Sequence, residues 1–126
     1  MKKRLFIVVV DDDASVCKAL GRLLRTSQMD VETYESGQAF LKAPKQRQPD
    51  CLILDIRMPT LSGPELRQRL LDSGNNIPIV FITAHAEDVV TERRIRANGV
   101  EILRKPFDNQ SLLDAIQRAL DRHRRP

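Results

Sequence analysis

The stretch FIVVVDDDAS, Phe6 to Ser15, decides how the rest of the chain is read. Its apolar, mostly β-branched run suits a strand buried on both faces of a sheet. The run then ends in three adjacent carboxylates. Asp11, Asp12 and Asp13 repel one another at neutral pH, so either water or a cation must offset them.

Outward from this strand, read as Leu5 to Val10, apolar runs and helical periods alternate to the end of the chain. Val16, Leu20, Leu23 and Leu24 recur at helical spacing, with Asp13 or Ala14 near the cap. Val31, Thr33 and Tyr34 predict a short second strand, and a helix around Gln38 to Lys42 stops before Pro44. CLILD, Cys51 to Asp55, is a third strand. Pro59 breaks the chain and a helix starts near Ser62, with Pro64 in its first turn and Leu66 and Leu70 facing inward. IPIVFIT, Ile77 to Thr83, is a fourth strand, followed by a helix over Glu87 to Gly99 in which Gly99 is the C-terminal cap. VEILRK, Val100 to Lys105, is a fifth. Asp108 or Asn109 caps a last helix carrying Leu112, Leu113, Ile116, Ala119 and Leu120. Five βα units in succession require crossover helices of one hand, which gives a doubly wound α/β domain with a parallel sheet.

At 126 residues the chain fits one domain with a core of its own. With 41% hydrophobic and 30% charged residues, it has no apolar run near the ~20 residues that cross a bilayer. The opening MKKRLFIVVVDDD has too short an apolar run, ending in acid, for a signal peptide. A cytoplasmic protein is expected, with Cys17 and Cys51 as small buried thiols. The net charge of +4 comes largely from scattered arginines: Arg93, Arg94 and Arg96 in one segment, and Arg118, Arg122, Arg124 and Arg125 near the end. A solvated helix face explains such patches better than nucleic-acid binding.

In an open α/β sheet, ligands bind beyond the carboxyl ends of the strands. Those ends carry Asp11 and Asp12, Asp55, Thr83 and Lys105. Singly, each has a dull explanation: Asp caps a helix, Thr ends a strand, Lys is solvated. Together they make chemical sense. Three carboxylates without histidine or thiolate suit Mg²⁺ rather than zinc. A carboxylate beside such an ion can attack phosphorus and become an acyl phosphate. Lys105 then supplies positive charge and Thr83 a hydrogen bond to the phosphoryl oxygens.

The segments VVVDDDASV, LILDIRMPTLSG, VFITAH and LRKPF, in this order and spacing over essentially the whole chain, resemble a response-regulator receiver domain of two-component signalling. The resemblance implies a (βα)5 fold with the flavodoxin-like strand order 2-1-3-4-5. The domain would cover residues 1–122, with 123–126 as a basic tail or the start of a linker. It also implies that Asp55 accepts a phosphoryl group from a sensor histidine kinase or a phosphotransfer protein. Asp12, Asp55 and the Arg57 backbone carbonyl would bind Mg²⁺ directly, and Asp11 through water. Thr83 and Lys105 would meet the phosphoryl oxygens, Pro106 would follow a cis bond, and Asp13 would be a helix cap. Ala84 leaves an opening for the phosphoryl group, and Arg57 and His85 occupy positions that tune its lifetime. DIRMP and KPF are similar to receivers attached to helix-turn-helix transcription factors, so nucleic acid would be reached only through an output domain outside this sequence. A homodimer would form through the fourth helix, fifth strand and fifth helix.

One departure from the family stands out. Where receivers commonly carry Tyr or Phe as the partner of the switch threonine, this chain has Ile102, which has no ring to swing and is stiff at χ1. Two rival functions fit parts of the sequence. Asp11 and Asp13 mimic the D-x-D of haloacid-dehalogenase-type phosphatases, but that chemistry leaves Asp55 without a purpose. A basic nucleic-acid binder lacks an aromatic platform and a recognised motif.

Overall fold

The structure is a computed structural model that describes residues 4–84 and 89–124. Its elements are β1 (Phe6–Val10), α1 (Ala14–Thr26), β2 (Asp30–Tyr34), α2 (Gly37–Lys42), β3 (Cys51–Asp55), α3 (Gly63–Asp72), β4 (Ile79–Thr83), α4 (Val89–Ala97), β5 (Glu101–Arg104) and α5 (Asn109–Arg124). The five strands are parallel in the order β2-β1-β3-β4-β5, as the family resemblance implied.

Alternation along each strand sorts the interior into two layers. Phe6, Val8, Val10, Leu52, Leu54, Ile79, Phe81 and Ile102 face a layer closed by Phe40, Leu66, Leu70 and Ile95 from α2, α3 and α4. Ile7, Val9, Cys51, Ile53, Val80 and Ile82 face Cys17, Leu20 and Leu24 of α1 and Leu112, Ala115 and Ile116 of α5. β1 throughout, and β3 and β4 up to their last residues, are apolar because both of their faces are covered. Both cysteines are buried free thiols.

The helix ends follow from local chemistry. Asp13 caps α1, accepting the Ser15 N–H at 2.8 Å. Ser62 and Glu65 form a reciprocal capping box at the start of α3. Asp108 accepts the Ser111 N–H at 2.7 Å at the start of α5. After α4, Gly99 sits at φ +74°, its N–H reaches the Arg96 carbonyl, and the Val100 N–H reaches that of Ile95. This double closure needs the left-handed conformation that glycine adopts without strain. It also draws Val100 out of the fifth strand, so β5 starts at Glu101. The fourth strand starts at Ile79 rather than Ile77, because Pro78 has no N–H for the ladder. Glu87 and Asp88, expected in the fourth helix, lie outside the described residues. Helix α5 continues to Arg124, two residues past the expected domain end at 122. No helix among the described residues is long and apolar enough to cross a membrane.

Candidate functional site

The order of strands reverses between β1 and β3, which opens a crevice at their carboxyl ends. Val10 is level with Leu54, so Asp11 emerges beside Asp55, the last residue of β3. On the other side of β3, Asp55 is level with Ile82, and Thr83 is level with Arg104. The Lys105 N–H then donates to the Thr83 carbonyl at 2.8 Å. Sheet register alone therefore brings two acids, a threonine and a lysine to one rim.

Asp11 is 0% exposed, and both of its oxygens are occupied. Oδ1 accepts the Asp13 N–H at 2.9 Å and Oδ2 accepts Lys105 Nζ at 2.8 Å. The same ammonium lies 3.8 Å from Asp55 Oδ1. Asp12 is exposed at the mouth. Asp11, Asp12 and Asp55 each contribute an oxygen to a cluster whose atoms all lie within 4.8 Å of one another. Asp55 is 5% exposed and Thr83 1%.

Burial pushes the Asp55 carboxyl up to about 7, reinforced by the charge of Asp11 and opposed by Lys105; a hydrogen bond with Asp12 raises it further. Burial alone would lower the Lys105 pKa, but its hydrogen bond to Asp11 and the charges of Asp55 and Asp11 outweigh that and raise it. Three carboxylates thus share one ammonium, which leaves an excess of negative charge. An all-oxygen, acid-rich cluster open to solvent on one side fits Mg²⁺, which binds through one or two carboxylates and keeps several waters.

The loop from Ile56 to Ser62 is fixed against the site by close packing. The Ile56 N–H donates to the Ile82 carbonyl at 2.9 Å, and the Gly63 N–H to the Ile56 carbonyl at 3.0 Å. A Cβ at Gly63 would lie 2.4 Å from the Asp55 carbonyl oxygen, so only glycine lets α3 approach this closely. Within the loop, Thr60 has φ +70° and the Leu61 N–H reaches the Pro59 carbonyl, a tight turn disfavoured for a β-branched residue.

Of the residues expected at the site, Asp11, Asp12, Asp55, Thr83 and Lys105 converge. Arg57 and Ala84 are exposed on the loops beside them. The Lys105–Pro106 peptide is cis, as expected. Ile102 is buried in the layer shared with α3 and α4. His85 lies outside the described residues. Two features escaped the sequence reading. The spacing role of Gly63 is signalled only by its place after a capping serine. The ion pair of Glu92 with Arg104 is signalled by a glutamate three residues before Ile95, on the inward side of α4.

The geometry also decides against a phosphatase of the D-x-D type. The carboxylate such an enzyme would use as nucleophile, Asp11, is sealed and doubly hydrogen-bonded, while Asp13 is turned away as the α1 cap.

Comparison with known proteins agrees with the geometry. The family model described as the response regulator receiver domain matches residues 7–117. Response regulator protein TmoT of Ectopseudomonas mendocina is 40% identical over 114 residues, which are 90% of this chain and 52% of that protein. Transcriptional regulatory protein FixJ of Rhizobium meliloti is 34% identical, over 88% of this chain and 54% of its own. A solved receiver protein from Burkholderia phymatum superposes with a TM-score of 0.78 at 42% identity, covering 94% of this chain and 96% of that one. The chain spans about half the length of the curated relatives it matches. With that sequence match, that sheet order and that cluster of acids around a lysine, the chain belongs to the response-regulator receiver domains of two-component signalling.

Proposed function

We propose that Asp55 is the phosphoacceptor of this receiver and that the donor is a phosphohistidine on a sensor histidine kinase or a phosphotransfer protein. The single observation that carries the assignment is the placement of Asp55 at the switch point, with the Lys105 ammonium 3.8 Å from its carboxylate. In the transfer, an Asp55 oxygen forms a bond to phosphorus, the P–N bond breaks, and its electron pair stays on the histidine nitrogen.

Asp12, Asp55 and the Arg57 carbonyl would hold Mg²⁺, with Asp11 behind them. When bound, the ion neutralises charge on the transferring phosphoryl oxygens. Lys105, already between Asp11 and Asp55, can turn its ammonium to one phosphoryl oxygen. Thr83, at the end of β4, offers a hydroxyl to another, and Ala84 leaves room above the acceptor. Arg57 and His85 occupy sequence positions that in this family tune the lifetime of the acyl phosphate. The chain is a phosphoacceptor switch rather than a turnover enzyme.

Phosphorylation adds roughly one to two negative charges and new acceptor oxygens, which favour a state with Thr83 and Lys105 drawn inward. Moving a population from mostly off to mostly on takes about 5.5 kcal/mol of preference, within reach of several charge-assisted hydrogen bonds. The output would leave through α4, β5 and α5, either to a second copy or to an output domain outside this sequence, and nucleic acid would be bound only there. The setting is the cytoplasm.

Acetyl phosphate with Mg²⁺, followed by intact-mass spectrometry, tests the assignment. One phosphoryl group should add to the wild type and none to Asp55→Asn or to protein in excess chelator. Full phosphorylation of the variant would refute it.

A further inference from the structure

Resting on the reading of Asp55 as phosphoacceptor, we infer that the ion pair of Arg104 with Glu92, rather than a ring at position 102, carries the state of the site to α4. The pair is two-pronged: Arg104 Nε donates to Glu92 Oε1 at 2.9 Å, and a terminal guanidinium nitrogen to Oε2 at 2.7 Å. Such fork-to-fork contacts fix orientation as well as distance. The Glu92 side chain is only 5% exposed, whereas the Arg104 side chain is 54% exposed. Water can therefore take over the guanidinium when the two separate, while Glu92 and α4 cannot follow without rearranging.

Position makes the pair a relay. Arg104 is level with Thr83 in the ladder, and the next residue, Lys105, gives its N–H to the Thr83 carbonyl. The two residues that meet the phosphoryl group are thus joined through the backbone that carries Arg104. Strand alternation places Arg104 on the same side of β5 as Ile102, the side that packs against α4. Ile102 is locked in that layer beside Ile95 and Val100, with a stiff χ1 and nothing to rotate. The long, jointed side chain two residues further along is the one that grips the helix. An inward shift of Thr83 and Lys105 moves the Arg104 backbone with them and changes its hold on Glu92.

The test is hydrogen exchange of the α4 amides, with and without Mg²⁺ and beryllofluoride as a phosphoryl mimic. It uses the full chain and, in parallel, acetyl-phosphate labelling of Asp55. In the wild type the mimic should change α4 exchange by about fivefold or more, the low end of ordinary coupling. Arg104→Met alone takes the two-pronged contact from a buried glutamate, so the informative variant is Glu92→Met with Arg104→Met, in which apolar groups replace both charges. That variant should label at Asp55 to the wild-type stoichiometry while its α4 response falls to about onefold. Arg104→Lys, a point charge without the fork, should respond in between. Ile102→Ala should keep the response. A double variant that labels and still responds in full overturns the relay alone. A wild type that takes no label at Asp55 overturns the acceptor reading and the relay with it.

Discussion

Replacing Asp55 by asparagine should make the metal-free protein more stable at alkaline pH, although it removes the proposed phosphoacceptor. The Asp55 carboxyl has an ordinary value of 3.8 and is pushed up to about 7 in the fold by burial and by Asp11. The folded state therefore holds a proton that the unfolded state has already released. Stability from this group is fully present below 3.8 and is lost as pH rises towards about 7. The gap of about three pH units corresponds to about 4 kcal/mol at 1.36 kcal/mol per unit. An amide carries no charge to desolvate, and its NH₂ can donate to a neighbouring carboxylate. It fits the acid's contacts imperfectly, which leaves an expected gain of about 2–3 kcal/mol at pH 8. For a domain of this size that is a rise of roughly 8–12 °C in melting temperature. Thermal melts in chelator at pH 5 and pH 8 read it, and the carboxylates away from the site cancel in the difference between the proteins. The variant's advantage should be largest at pH 8 and shrink towards pH 5, where Asp55 is protonated in the wild-type fold. Saturating Mg²⁺ should shrink it too, because ionised Asp55 is then a ligand. A variant no more stable than wild type at pH 8 in chelator, or an equal gap at both pH values, would refute the reasoning.

Lys105→Met removes the cation at 2.8 Å from the fully buried Asp11. Chemical unfolding in chelator at pH 8 should show a loss of about 3 kcal/mol, recovered in part by excess Mg²⁺. Labelling by acetyl phosphate should slow. Gly63→Ala forces a methyl group to within 2.4 Å of the Asp55 carbonyl oxygen. It should destabilise by about 2 kcal/mol or more and slow Asp55 labelling, and an unchanged rate would show that α3 does not fix the acceptor. Gln28 lies at φ +66° just past α1, with its N–H on Arg25 and the Met29 N–H on Leu24. Gln28→Gly should therefore stabilise by about 0.5–1 kcal/mol in thermal or chemical melts while leaving Asp55 labelling unchanged.

How much of this was legible in the sequence differs from element to element. β1, β3 and β4 are unbroken apolar runs because both faces are covered, and their carboxyl ends marked Asp11, Asp55 and Thr83 directly. β2 is an edge strand, partly exposed throughout, so only Val31, Thr33 and Tyr34 announced it. Caps such as Asp13, Ser62 and Gly99 were readable because the chemistry of a helix end is local. Distances were not. No pattern in the chain says that Lys105 rests on Asp11 rather than Asp55, since that depends on the relative heights of strands 94 residues apart. Nor does the place of Gly63 after a capping serine reveal that it touches the Asp55 backbone. The place of Glu92 on the inward side of α4, three residues before Ile95, hints that its side chain is buried but not that Arg104 reaches it from another element.

Asp55 is proposed as the reactive carboxylate of a site completed by Mg²⁺, Thr83 and Lys105. A crystal structure of the full chain with Mg²⁺ and beryllofluoride tests this most directly. It should show beryllium on an Asp55 oxygen, fluorides against the Thr83 hydroxyl and the Lys105 ammonium, and the ion on Asp12, Asp55 and the Arg57 carbonyl. Asp55 bare at full occupancy of the ion, or Lys105 still held on Asp11 beside a bound fluoride, would contradict it.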